Sequence, residues 1–150
     1  MTSDPSVVDT RSSRRTALAA AIGISVILVP LLIGAIFYVQ LKPPTVSVTR
    51  DSFVVRCALY HEEIPIGDIA EVSLETTIPH VLRRTNGFAA AQTLRGHFTL
   101  EGLGNGELFI TRTPPYVVVR TPGSFVIVNF EDPERTRDLY EDLRLYVTAR

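Results

Sequence analysis

The chain of 150 residues has one cysteine and almost no excess of charge of either sign. With Cys57 as the only thiol, no disulfide can form within the chain, and the redox compartment is undetermined. The part after residue 41 holds 12 basic and 14 acidic residues. Without a field of one sign, charge-driven binding to nucleic acid or anionic headgroups has little support, and we predict no nucleic-acid partner.

The chain also lacks the short motifs that mark catalytic and metal sites. It contains no HExxH, no G-x-S-x-G and no phosphate-binding G-x-x-x-x-G-K-[ST]. His61, Glu62 and Glu63 resemble a metal cluster only in composition, because neighbouring residues of an extended chain point to opposite faces. The glycine-rich stretch 102–106 precedes a strand pattern and not a helix, which favours a turn. We therefore predict no enzyme, no cofactor and no metal site.

What the sequence does have is one long uncharged run, TALAAAIGISVILVPLLIGAIFYVQL, over residues 16–41. As a helix this run is about 39 Å long, and the hydrocarbon core of a bilayer is about 30 Å thick. Pro30 in its middle is expected to kink a membrane helix and not to end it. A buried soluble helix is disfavoured because the run is apolar on every face. We predict one transmembrane helix.

A cleavable signal peptide is the main alternative for this run. Arg11, Arg14 and Arg15 precede it, and SRRTAL resembles a twin-arginine export motif except at Ala17. However, the run far exceeds the ~7–15 apolar residues of a signal sequence. No small-x-small cleavage site closes it, since GAIFYVQ is bulky. We expect an uncleaved anchor in the plasma membrane.

The arginines also bear on orientation. Three of them stand within five residues before the run, and only Lys42 stands close behind it. Because positive charges stay in the cytoplasm, we predict a cytoplasmic N-terminus and an extracytoplasmic domain. Arg50 and Arg56 weaken this prediction, since a wider window nearly evens the two counts.

The chain divides into four parts on this interpretation. Residues 1–15 are polar and predict a short disordered cytoplasmic tail. Residues 16–41 are the transmembrane helix. Residues 42–44, Lys-Pro-Pro, form a stiff linker because proline cannot continue a helix far past its first turn. Residues 45–150 suffice for one compact domain.

This domain is patterned as short strands followed by one helix. Alternation of polar and apolar residues and the turn residues between them predict seven strands, at 45–49, 53–60, 69–76, 97–100, 107–112, 116–121 and 124–130. From Asp132 onward, an N-cap, a proline at the first helical position and one apolar stripe predict an amphipathic helix that covers the sheet. Residues 77–95 show no strand pattern and are expected to be a long loop.

Three stretches resemble one family. IPIGDIAEVSLE, LRGHFTLEGLGNGELFIT and PYVVVRTPGSFVIVNFEDPERTRDLYEDL look like the bacterial pleckstrin-homology (PH) domain family, in the subgroup beside transmembrane helices. The resemblance covers residues 45–146. It implies a mainly-β, PH-like barrel of seven strands in two packed antiparallel sheets, capped by the C-terminal α-helix. It also implies a non-catalytic binding or scaffolding module, and no ligand-binding residue carries over from it.

Five residues are candidate contacts. Arg83, Arg84 and Phe88 give the predicted loop a cationic and an aromatic surface, and we hypothesise that they meet an unidentified partner protein near the barrel mouth. A plain solvated loop is the alternative. Arg50 and Arg56, near the first hairpin, are candidate headgroup contacts. The main alternative function is a lipid or small-ligand binding module that uses the barrel mouth.

Overall fold

The computed structural model describes residues 6–57, 60–90, 92–111 and 113–149. Contacts divide the chain into two compact units, Met1–Val39 and Gln40–Arg150.

The first unit is made of the helix α1, which runs from Ser6 to Leu41 and continues through Pro30. Its residues Ala17–Val39 are long and apolar enough to cross a membrane, and none of them is buried. A signal sequence near an N-terminus has the same properties. The helix takes in residues 6–15 of the predicted disordered tail, because neither proline nor glycine interrupts the hydrogen-bond ladder there. Residues 1–5 of that tail lie outside the described residues.

The second unit is mainly β. The strands found among the described residues are β1 (Thr45–Val48), β2 (Ser52–Cys57), β3 (Tyr60–Pro65), β4 (Glu71–Glu75), β5 (Val81–Ala90), β6 (Thr93–Leu100), β7 (Gly104–Thr111), β8 (Tyr116–Thr121) and β9 (Ser124–Val128). One 3₁₀ turn, Ile66–Asp68, precedes β4. The C-terminal helix α2 spans Pro133–Thr148.

The strands form two sheets. One has the order β1-β2-β3, and the other has the order β4-β8-β9-β7-β6-β5. All neighbours pair antiparallel except β7 and β9, which pair parallel from Glu107 opposite Val126 to Phe109 opposite Val128. The predicted architecture of two sheets with a C-terminal helix is confirmed, with β3 and β5 as strands beyond the seven predicted.

The prediction of a loop over residues 77–95 is wrong for most of its length. β5 pairs with β6 from Val81 opposite Leu100 to Ala90 opposite Thr93. The pairing register shifts twice, between Val81 and Arg83 and again between Arg84 and Asn86. Because each such bulge exchanges the faces of the residues that follow, no period of two is visible in the sequence.

Both faces of the six-stranded sheet are buried. Along β7, Phe109 belongs to one apolar cluster, whereas Leu108 and Ile110 belong to another. Successive side chains of a strand point to opposite faces, so the two clusters lie on opposite sides of this sheet. The first cluster contains residues of β2, β3 and α2, which therefore cover the first face: Phe53, Val55, Cys57, Ile64, Leu139 and Leu143. Around the second cluster pack the half-buried side chains of Ile78, Val81 and Leu103.

The helix α2 begins as its sequence predicts. Asp132 lies outside the helix with an extended backbone, and its Oδ1 accepts a hydrogen bond of 3.0 Å from the backbone N–H of Glu134. Pro133 occupies the first turn, where its missing N–H is not needed. The buried stripe of Thr136, Leu139 and Leu143 then faces the first cluster.

Gly106 of β7 gives a test of this packing. A Cβ at this position would contact the carbonyl oxygen and the ring of Phe125 on β9. We expect Gly106→Ala to cost about 1–3 kcal/mol of unfolding free energy because the backbone of β9 must move. The melting temperature of the full chain in a mild detergent, followed by circular dichroism, should fall by about 4–8 °C for each kcal/mol lost.

Gly67→Ala is the matched control, because a Cβ there meets nothing within 4 Å. Its melting temperature should remain near that of the natural chain. Equal melting temperatures for the two variants would contradict the close approach of β7 and β9.

Candidate functional site

Polar side chains interrupt the apolar first face of the six-stranded sheet at β6. On this strand Leu94, Phe98 and Leu100 belong to the second cluster. The intervening residues Arg95 and His97 therefore point to the first face. The pairing of β6 with β7 brings Glu107 opposite His97 on that same face. Toward β2 and β3, the apolar residues on the first face of the six-stranded sheet therefore give way to Arg95, His97 and Glu107.

Arg95 is the most deeply buried of these groups, with 1% of its surface exposed. Its Nη1 donates a hydrogen bond of 2.8 Å to Sγ of Cys57, and that thiol in turn donates to the backbone oxygen of Lys42 at 3.7 Å. Its Nε is buried and has no hydrogen-bond acceptor within the described residues. The buried guanidinium therefore has a thiol as its hydrogen-bond partner and no paired carboxylate among the described residues.

Burial acts on both members of this pair. It lowers the pKa of Arg95, and the neighbouring Cys57 opposes that change. It raises the pKa of Cys57, and the charge and hydrogen bond of Arg95 oppose that rise without cancelling it. Cys57 therefore accepts from Arg95 as a neutral thiol near neutral pH, which is a weak acceptor. The thiol of Cys57 is buried, with 3% of the residue exposed, among the apolar side chains of the first cluster.

A cavity of about 210 Å³ lies beside Arg95. The strand residues Thr93 and Thr111 line it together with Pro43 and Pro44 of the linker. Its remaining wall is formed by residues 129–132, which lead into α2, and by Arg135 in the first turn of α2. The cavity thus lies where β6, β7, the linker and the N-terminal end of α2 come together.

Hydrogen bonds hold the α2 segment of this wall in place. Oδ1 of the fully buried Asn129 accepts a 2.7 Å hydrogen bond from the backbone N–H of Thr111, and its Nδ2 donates to the backbone oxygen of Thr113. Oγ1 of the buried Thr136 accepts from the backbone N–H of Phe130 at 3.0 Å. With these polar groups satisfied within the protein, the wall is built and positioned independently of any ligand.

The rim of the cavity carries charges of both signs. Arg135 stacks its guanidinium over the ring of Phe130, with Cζ 4.0 Å from the ring centre. Glu131 and Asp132 also lie in the lining, and both are exposed. Asp132 is engaged in capping α2, as described above. A cation–π contact of this kind is worth ~0.5–1 kcal/mol at an exposed site, so it restrains Arg135 only modestly.

The second charged group of the face is the pair His97 and Glu107. Nδ1 of His97 lies 3.0 Å from Oε1 of Glu107, whereas the buried Oε2 has no hydrogen-bond partner among the described residues. Burial raises the pKa of Glu107, the nearby charge of Glu62 raises it further, and His97 opposes the rise. Across the described parts of the chain, no three His, Cys, Asp or Glu side chains are placed to hold a metal ion.

The predicted partner contacts all fall on β5, the terminal strand of its sheet. Arg83 and Arg84 are exposed, and Phe88 is half-buried opposite Arg95. Arg83 lines a surface depression of about 600 Å³ together with His97 and other residues of β6 and β7. Four residues of strand, about 13 Å, separate Arg84 from Phe88. The structure therefore spreads these side chains along a strand and does not gather them at a loop tip.

The predicted headgroup contacts do not converge. Arg50 lies in the turn between β1 and β2, whereas Arg56 lies near the far end of β2, opposite Thr45. From Ser52, where β2 begins, four residues of strand, about 13 Å, lead to Arg56, so the two arginines lie toward opposite ends of β2. Arg56 donates from Nε to Nδ1 of His61 at 3.2 Å. Arg50 instead lines a groove of about 820 Å³ beside the end of α2.

Sequence reasoning missed Arg95 and Glu107. The signal that could have found Arg95 is the alternation along the strand. Leu94, Phe98 and Leu100 are apolar and share one face, so Arg95 must point to the opposite face, which is also buried. That alternation was not available while the strand was predicted to begin at residue 97. A charged residue at an inward-facing position of a strand points to a functional group or a buried pair.

Comparison with known proteins gives one match. The sequence model of a family described as bacterial PH domain matches residues 45–143, which include all the strands and most of α2. No curated protein and no solved structure matches the chain.

Glu107 gives a pH-dependent prediction. Because its pKa is raised in the fold, the stabilisation from its protonated form is complete below the ordinary value of about 4.3 and is lost as the pH rises through the folded value. Glu107→Gln carries no charge at any pH. We therefore expect the melting temperature of this variant, relative to the natural chain, to rise between about pH 4 and pH 7.

The exposed Glu63 of β3 supplies the control, and Glu63→Gln should follow the natural chain across this range. Thermal unfolding of the three full chains in one detergent measures both differences. A Glu107→Gln difference that stays constant or shrinks with rising pH would contradict the buried position of this carboxylate.

Proposed function

The chain belongs to the bacterial PH domain family, and from that premise we propose a single-pass membrane protein whose PH-like domain binds or scaffolds a partner protein at the membrane surface. PH-like domains are binding modules and are generally not catalytic. The observation that carries the proposal is the order of the parts: a helix with a candidate span at Ala17–Val39 comes shortly before a family match that starts at residue 45.

The short connection supports a role at the membrane surface. α1 ends at Leu41 and β1 begins at Thr45. Three residues intervene, and two of them are prolines, which stiffen the connection. Four steps of fully extended chain reach at most ~14 Å. If α1 crosses a bilayer, a domain on such a connection cannot move far from the headgroups.

In this proposal, residues 1–15 lie in the cytoplasm, residues 16–41 cross the plasma membrane and residues 45–150 form the extracytoplasmic domain. The three arginines before the run favour this orientation. The partner is a membrane or envelope protein that contacts β5, where Leu82, Arg83 and Arg84 are exposed. Leu82 has 60% of its surface exposed, and an exposed apolar side chain next to two cations in the sequence suits a protein contact.

The alternative is a module that binds a lipid or a small ligand. The cavity of about 210 Å³ beside Arg95, whose Nε has no hydrogen-bond acceptor within the described residues, is the specific observation that favours it.

Topology is the first test. In a full chain carrying Cys57→Ser and one cysteine added after Arg150, we expect a membrane-impermeant maleimide to label intact cells. A second chain with Cys57→Ser and Ser3→Cys is the matched control and should be labelled only after lysis. The opposite pattern would place the domain in the cytoplasm. Recovery of a shortened chain from the soluble fraction, detected by its intact mass, would contradict the anchor itself.

The partner contact has its own test. We expect Arg83→Ala with Arg84→Ala to reduce in-cell photo-crosslinking of a membrane protein to β5 by about tenfold, the loss that corresponds to ~1.4 kcal/mol of binding energy. Adding Phe88→Ala should reduce it further. Arg137→Ala with Arg144→Ala on the exposed side of α2 is the matched control. Unchanged crosslinking in the β5 variants, with melting temperatures equal to the control, would eliminate this surface.

A further inference from the structure

Large apolar side chains are exposed at few places in the domain. Among the described residues after the linker they are Leu82 on β5, and Leu145 and Tyr146 near the end of α2. The last two line the groove of about 820 Å³ beside the end of α2, and its other walls come from the 3₁₀ turn and from the turn between β1 and β2. Most of the large apolar surface that the domain leaves uncovered therefore lies at this groove.

The position of Leu145 on α2 explains why it is exposed. Leu143 is fully buried in the first cluster, and two further residues of a helix turn by about 200°. Leu145 therefore points away from the buried stripe, and 68% of its surface is exposed. A leucine at such a position can be buried only against a surface that belongs to another molecule.

The groove also contains one charge of each sign. Arg50 comes from the turn between β1 and β2, and Asp142 comes from α2. Both residues are exposed, and neither has an ion-pair partner in the described parts of the chain. The two charges are therefore available to a partner that carries the opposite pair.

We propose that this groove is a self-association surface, at which two copies of the chain meet about a two-fold axis. A two-fold contact is self-complementary, because residue i of one copy meets residue j of the other and j meets i. A groove that holds both Arg50 and Asp142 satisfies this condition, since each arginine can lie opposite the aspartate of the other copy. The two ion pairs then flank an apolar contact made by Leu145 and Tyr146 of both copies.

The chemistry of the groove favours a copy of this chain over other occupants. A partner with a strong charge of one sign would be repelled by one of the two groove charges. A purely apolar occupant, such as a lipid chain, would cover Arg50 and Asp142 without pairing them. A second copy supplies an apolar patch and both charges, so it buries the exposed side chains and pairs the charges in one contact.

Sedimentation equilibrium of the full chain in a density-matched detergent measures the self-association. We expect a reversible dimer whose Kd rises about tenfold in Leu145→Glu, because a carboxylate would then lie in the apolar contact. Arg137→Glu is the matched control. It also introduces a carboxylate at an exposed position of α2, but eight residues, about 12 Å of helix, before Leu145. Its Kd should equal that of the natural chain, and both variants should keep the natural melting temperature.

Reversal of the two charges tests the two-fold pairing. Arg50→Asp or Asp142→Arg alone places like charges opposite each other twice in one dimer, so each change should raise Kd about tenfold. The chain that carries both changes restores the opposite charges in both pairs and should recover most of the lost affinity. Weakening in the double variant by the product of the two single effects would contradict a contact between Arg50 and Asp142 of different copies.

Crosslinking in cells examines the same contact without detergent. Two differently tagged chains, both with Cys57→Ser, carry Arg50→Cys and Asp142→Cys, and a short bismaleimide should join them when they are expressed together. A second chain with Arg137→Cys in place of Asp142→Cys is the matched control and should give no joined pair.

Three outcomes would overturn the proposal. One is a chain that is monomeric at every concentration and gives no joined pair in cells. Another is a dimer that Leu145→Glu does not weaken, since it would come from another surface such as α1 or β5. The third is a crosslink from Asp142→Cys to a different protein without any joined pair. None of these measurements depends on the topology test or on the β5 test, so this proposal and the proposed function fail separately.

Discussion

The domain depends on a six-stranded sheet that must be covered on both faces. β7, β8 and β9 lie toward its centre, and most of the residues of these strands are buried. One face is covered by the three-stranded sheet and α2, and a second apolar cluster forms on the other. A sheet buried on both faces gains apolar burial at every central position, at ~25 cal/mol per Å². It also requires that any polar group on these strands finds a partner inside the protein.

That requirement is met along most of the sheet and fails at the neighbouring strands β6 and β7. Asn129 and Thr136 accept hydrogen bonds from the backbone N–H groups of Thr111 and Phe130. These bonds hold in place the segment that leads into α2. Arg95 and Glu107 each keep one buried atom without a partner within the described residues. Both lie on the face toward the three-stranded sheet, where apolar cover gives way to charge. The polar groups without partners in this domain therefore lie toward one side of the six-stranded sheet, whereas the centre of the sheet is packed with apolar side chains.

The regular parts of this fold could be predicted from the sequence because the spacing of apolar residues stays constant along each of them. β8 was predicted with the bounds that the structure has, and the capping by Asp132 was read from local chemistry alone. β5 could not be predicted, since two register shifts break its alternation. Arg95 was hidden by the same error, because its inward position becomes visible only once β6 is known to start at Thr93. The cavity depends on β6, the linker and α2 meeting, which is long-range packing and not a local pattern.

The single thiol, Cys57, can report how often the interior of the domain opens to solvent. Cys57 is 3% exposed and lies between the two sheets beside Arg95. A reagent in solution can reach its sulfur only when this region opens. The rate at which the thiol of the native chain is modified therefore measures the frequency of opening and not the frequency of collision with the reagent. Once water enters, the adjacent guanidinium favours the thiolate, and the exposed sulfur reacts quickly. The slow step is then the local opening that exposes the sulfur, so the rate of thiol modification reports the stability of the packing around Cys57.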